Sequence, residues 1–214
     1  MRAARTFSAL LALLFIAGCL GGRLEYAPAA RPDTKSGISA CGDPPQRQAW
    51  RVRLRRGRQD SVFTVLVERD VQSGFGVAAL NDVGGTLFQA SAAGDGSAVV
   101  IQRNLLRIPD SVLARTFVQD ALLPFLAHPP ETASAGFLEN GRSIRVNRLS
   151  RNRASIYVLS DSGNTIAEFL RLRGHHIAYH ARFNTPGQPF EGGHEIISYS
   201  PRYAAAYRPL DTGQ

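Results

Sequence analysis

The chain has 214 residues, 44% of them hydrophobic, with 25 basic against 17 acidic side chains and a formal net charge of +8. That length supports one good-sized domain with a real core, and two cysteines are too few for a disulfide framework. The basic excess is almost wholly arginine, Lys35 being the only lysine, a balance that fits phosphate-bearing partners, either nucleic acid or lipid.

The amino terminus decides between those two. Met1-Arg2-Ala3-Ala4-Arg5 is a short basic start, and Phe7 to Ile16 is an apolar run too short to cross a bilayer as a stable helix, the layout of a secretory signal. Ile16-Ala17-Gly18-Cys19 follows and resembles the bacterial lipobox. The resemblance implies a leader at residues 1–18, removed on export, and acyl chains on Cys19 as first residue of the mature protein. Two or three such chains, at roughly 0.8 kcal/mol per buried methylene, form a durable anchor. Leu20 stands where inner-membrane lipoproteins of enteric bacteria carry aspartate, which implies the outer membrane and its periplasmic face. Export turns the basic surface towards lipid phosphate and away from nucleic acid. Residues 19–47 hold Gly21, Gly22, Pro28, Pro32, Gly37, Gly42, Pro44 and Pro45 with little apolar periodicity, and read as a flexible tether in which Cys41 is a lone thiol.

The folded domain is expected over 48–210. Alternation of apolar and basic residues predicts a first strand at Gln48 to Leu54, then strands at Ser61 to Glu68, Gly74 to Leu80, Thr86 to Ser91 and Ala98 to Arg103. Turn clusters at Asp70 to Gly74, Asn81 to Gly85 and Gly94 to Gly96 separate them, and such short separations favour antiparallel hairpins. The period then changes. Val112, Leu113, Thr116, Phe117, Ala121, Leu122 and Phe125 recur at helical spacing after the capping candidates Asp110 and Ser111, with Pro124 expected to end or kink the helix. Beyond a loop, strand patterns return at Ser143 to Leu149, Ala154 to Ser160, Thr165 to Arg171, Ile177 to Phe183 and Glu195 to Ser200. One helix with a wide apolar face needs a partner, so the predicted architecture is mainly β (α+β), a curved antiparallel sheet wrapped around a helix, with a sandwich whose helix plugs one end as the alternative.

From Phe63 to Phe125 the chain resembles the LolA/LolB group of lipoprotein carriers and receptors. Gly84-Gly85-Thr86-Leu87-Phe88-Gln89-Ala90 precedes the turn Gly94-Asp95-Gly96, and a helix opened by Pro109-Asp110 carries Leu122-Leu123-Pro124-Phe125. The resemblance implies an unclosed β-barrel with a helical lid and an apolar cavity for acyl chains or another hydrophobic ligand. It also implies a projecting loop with an exposed apolar residue, for which the turn Leu80-Asn81-Asp82-Val83-Gly84 is the nearest candidate. One face of each strand and the helix would line the cavity, with Phe63, Val65, Phe75, Val77, Phe88, Phe117, Leu122, Phe125, Val158 and Phe169 as the expected contributors. The same residues could instead fill a solid core, in which case the chain would be an envelope assembly or scaffold protein with a protein partner.

Other constellations carry less. His176 and His180 are expected to share a strand face with His175 on the other, which disfavours a shared metal ion. Arg142, Arg145, Arg148, Arg151 and Arg153 could meet phosphate head groups or form the wet side of a strand. Gly-x-Ser-x-Gly, a phosphate-cradling loop and His-Glu-x-x-His are all missing from the sequence, so no catalytic residue, metal or cofactor is expected.

Overall fold

The computed structural model describes residues 24, 26–28, 44–70 and 72–210; the leader, Cys19 and Cys41 lie outside the described residues. Thirteen strands form one sheet: β1 (Tyr26–Pro28), β2 (Arg47–Arg56), β3 (Gln59–Asp70), β4 (Gly74–Leu80), β5 (Thr86–Ala92), β6 (Val99–Asn104), β7 (Ser134–Leu138), β8 (Ser143–Ser150), β9 (Arg153–Leu159), β10 (Ile166–Arg173), β11 (His176–Phe183), β12 (His194–Tyr199) and β13 (Arg202–Pro209). The spatial order is β1-β7-β8-β9-β10-β11-β12-β13-β2-β3-β4-β5-β6. Every pair is antiparallel. Among the described residues β1 and β6 remain as the two edges, so the sheet is not closed.

Between the two strand series the chain forms α1 (Asp110–Leu113), a π-helical turn (Ala114–Val118) and α2 (Gln119–Leu126). Asp110 does not cap by side chain. It accepts a 2.7 Å hydrogen bond from Asn104 Nδ2, which also donates to the carbonyl of Ile108 at 2.6 Å, and this ties the end of β6 to the helix start. A short helix, α3 (Pro189–Gly192), sits in the β11–β12 connection. Among the described residues no helix is long and apolar enough to cross a membrane.

Strand period two sends alternate side chains to opposite faces, and register carries one face across nearly the whole sheet. Phe169 pairs with Ala181, Phe183 with His194, Tyr207 with Val52, Trp50 with Val65 and Val77 with Ala90. All of these except the buried His194 belong to one core cluster together with Leu113, Val118, Ala121, Leu122 and Leu123 of the helix. Strands from both series thus meet on the helix, as the sequence predicts for a sheet wrapped around it. Several side chains here, including Trp50, Phe88 and Phe183, are at most 1% exposed, each worth roughly 1.5–3 kcal/mol by burial.

The opposite face carries a second, smaller cluster: Ile144, Val146, Ile156, Val158, Leu170 and Leu172. Leu24 and Tyr26 pack against it. Part of the expected tether is therefore an edge strand: Tyr26–Pro28 pairs with β7, and the Leu24 amide donates to the carbonyl of His175 at 3.1 Å. β7 and β13 are strands where the sequence predicted none. Pro124 lies in the last turn of the helix, which ends two residues further on.

Candidate functional site: a cavity between helix and sheet

Where the helix lies against β2, β3 and β5, packing is incomplete. A cavity of about 360 Å³ is lined by Leu54 (β2), Val62 and Phe63 (β3), Leu87 (β5), Leu106 and Ile108 before the helix, Val112, Thr116 and Phe117 on it, and Tyr203 of β13. Arg56, Gln59 and Arg202 also line it, and both arginines are exposed. Its volume falls in the range of small-ligand sites, about 300–1,000 Å³. Apolar lining extends to solvent: Val62 is 42% exposed and Val112 38%.

Helix spacing explains the helical wall. Val112, Thr116 and Phe117 lie on neighbouring turns and look to the same side. The Thr116 hydroxyl does not present itself as a free polar group, because it donates back to the carbonyl of Val112 at 2.6 Å. Phe117 stacks on Tyr203 with ring centroids 6.4 Å apart and planes at 16°, and tilts against Phe63 and Phe88 at 6.1 and 6.4 Å.

Tyr203 joins this apolar site to a buried polar cluster on the helix. Its hydroxyl donates to Asp120 Oδ2 at 2.6 Å, and that of Tyr179 donates to Oδ1 at 2.9 Å. Asp120 is 2% exposed. Burial pushes its carboxyl up to about 7; the two tyrosine hydroxyls and the Arg171 guanidinium pull the other way and only partly offset it. Arg171 is held over the rings of Phe169 and Tyr179, at 5.4 and 5.1 Å from their centroids.

Pro124 completes the cluster. Proline has no N–H, so the Asp120 carbonyl, four residues earlier, loses its α-helical donor. His194 Nε2, from β12, lies 3.1 Å from that oxygen and supplies the replacement bond. This fixes the tautomer with its proton on Nε2. Burial pushes the His194 ring down to about 4, so it is neutral, and it stacks on Tyr207 at 4.4 Å with planes 9° apart.

Of the ten residues expected around a cavity, Phe63 and Phe117 line this one. Val65, Phe75, Val77, Phe88, Leu122 and Phe169 are in the same cluster, and Phe125 packs on it. Val158 faces the other way: it pairs with Ile144 and Glu168 and lies with Ile144 in the outer-face cluster. Tyr157 and Leu159 take the inward positions. The turn considered as a projecting loop carries Val83 at 90% exposure.

The histidines differ from expectation in one respect. A register shift where β10 meets β11 pairs Leu172 with Ile177 and Leu170 with His180, leaving Ala178 as an extra residue. A bulge of this kind reverses the alternation, so His176 and His180 end on opposite faces. His180 Nε2 lies 2.8 Å from Glu168 Oε2, and Arg142 pairs with the other carboxylate oxygen. The His180 hydrogen bond first, then Arg142, holds that carboxyl well below its usual range, at about 2. Among the described residues no group of three His, Cys, Asp or Glu is placed to hold a metal ion.

Neither family models nor curated proteins match the sequence. In overall structure the chain is similar to two solved proteins. One is from Vibrio parahaemolyticus and is provisionally described as an outer membrane lipoprotein-sorting protein domain (TM-score 0.42, 10% identity, covering 78% of this chain and 86% of that one). The other is a DUF1329 family protein from Desulfovibrio piger (TM-score 0.42, 8% identity, 80% and 88% covered).

Proposed function

We propose that the chain is a lipoprotein anchored to the outer membrane through acylated Cys19, on its periplasmic face, and that its domain binds a lipid acyl chain or another hydrophobic ligand in the helix–sheet cavity as a step in lipid or lipoprotein trafficking. The observation that carries the reading is the cavity itself: about 360 Å³ of space with a largely apolar lining, bounded by Val62 and Val112 where it meets solvent. Burial of ligand surface there contributes roughly 25 cal/mol per Å². Arg56 and Arg202 stand where a chain bearing an anionic head would present it. No covalent step is required, so the reading is of a binding protein and not an enzyme.

A second reading is kept because most of the residues expected around a cavity pack into a dense core: a scaffold in an envelope assembly, with no ligand. Saturable binding separates the two. The folded chain should bind a fluorescent fatty-acid analogue competably, and Val112→Trp, which places bulk in the cavity from a partly exposed helical site, should weaken binding about tenfold or more, a loss of at least about 1.4 kcal/mol. Equal, non-competable signals from both proteins would favour the scaffold.

A further inference from the structure

Antiparallel order sends the turns of the sheet alternately to its two ends, and the charges sort with them. The β2–β3, β4–β5, β8–β9, β10–β11 and β12–β13 turns share one end; the β3–β4, β5–β6, β7–β8, β9–β10 and β11–β12 connections share the other. Counting each turn with its two flanking strand residues, the first end carries Arg56, Arg58, Arg151, Arg153, Arg173 and Arg202, all exposed, against one acid, Asp82, which is paired with Arg51 at 2.7 Å. The second end carries Asp70, Asp95, Glu139, Asp161 and Glu191 against one arginine, Arg142, which is engaged with Glu168.

Two further observations fall at the basic end. The cavity is lined there by Arg56, Gln59, Pro201 and Arg202. The chain also arrives there from its amino terminus, since Leu24 is bonded to His175 in the β10–β11 turn. Five residues lead from Cys19 to Leu24, a reach of at most about 18 Å at ~3.3–3.6 Å per residue.

We propose that the arginine-bearing end of the sheet is a docking face for the anionic phospholipid surface to which Cys19 anchors the chain, and that it sets the cavity mouth against the leaflet. The inference rests on the acylation of Cys19. A tether this short keeps the β10–β11 turn near the membrane, and the charge asymmetry selects which end turns down. Arginine forks suit phosphate bidentately, and each basic residue near an anionic leaflet adds roughly a fivefold preference for it. The acidic end points to the periplasm.

The test uses the full acylated chain, purified from a bacterial envelope, carrying Cys41→Ser and one reporter cysteine in an exposed turn: Asn152→Cys at the basic end or Ser162→Cys at the acidic end. Each is labelled with a fluorophore and reconstituted into phosphatidylethanolamine vesicles containing phosphatidylglycerol and a nitroxide headgroup quencher. Quenching should be several-fold stronger at position 152 than at 162. The difference should collapse when Arg151, Arg153 and Arg173 are changed to Gln, and in vesicles whose phosphatidylglycerol is replaced by phosphatidylcholine with the quencher kept. Equal quenching at the two positions, stronger quenching at 162, or a difference indifferent to these changes overturns the docking face. Flotation with the vesicles reads the anchor separately. A chain that floats without the difference keeps its anchor and loses this face, whereas one that fails to float loses both.

Discussion

Asp120 occupies the apolar side of a helix and is held by two tyrosine hydroxyls and the neighbourhood of an arginine. Its carboxyl titrates at about 7 in the folded chain and near 3.9 when unfolded. The folded state therefore holds the proton more tightly, so the stability this residue contributes is complete below about pH 4 and is lost as pH rises to about 7. His194 has the opposite sign: titrating at about 4 when folded and near 6.5 unfolded, it contributes above about 6.5 and the contribution is lost as pH falls to about 4. The two slopes, each on the order of 1.4 kcal/mol per pH unit, oppose one another between about pH 4 and 6.5. Wild-type stability should be nearly flat there. Asp120→Asn should leave the His194 slope alone, so that chemical denaturation shows stability rising with pH across that window. A wild type whose stability already rises with pH as steeply as the variant's would mean that the carboxyl is not held protonated. Asp120 was legible in principle, because it falls seven residues after Leu113 and four after Thr116 on the stripe that the helix buries, and a charged residue there needs a buried partner. The partners themselves, Tyr179, His194 and Tyr203, come from three strands and have no local signature.

At the scale of elements, strands that alternate cleanly were readable, and the helix announced itself by its period. Three strands were not. β13 contains Ala204-Ala205-Ala206, three identical small residues that give no alternation; β7 has five residues with a glycine at its centre; β1 lies among glycines and prolines. Val158 was assigned to the wrong face because Ser155 to Leu159 is uniformly buried, and a continuous apolar run gives no parity until its register is known. The π-helical turn is likewise invisible in a 3.6-residue pattern. Gly136 explains how β1 is accommodated: a Cβ there would lie 2.7 Å from the carbonyl oxygen of Ala27. Gly136→Val should expel β1 while leaving the rest of the sheet paired. Hydrogen exchange would then show faster exchange around residues 26–28, with protection in β2 and β3 unchanged. Unchanged exchange at β1 would show that the edge strand tolerates the side chain.

At the scale of the whole molecule, two strand series meet at the β13–β2 pairing and share one helix, so the cavity has walls from both series: Leu54 and Phe63 on one side of the seam, Tyr203 on the other. The outline of a curved antiparallel sheet around a helix could be read from the order of elements, and its being unclosed was implied by the resemblance alone. The location of the space could not, because filled and unfilled parts of the seam are built from the same residue types. The central claim is that this space takes a hydrophobic ligand. Its most direct test is native mass spectrometry of the full chain purified from the envelope, with solvent extraction of any non-covalent adduct. The account predicts a one-to-one lipid or other apolar adduct on the wild type that is absent from Val112→Trp; a clean ligand-free mass for the wild type under the same gentle conditions would contradict it.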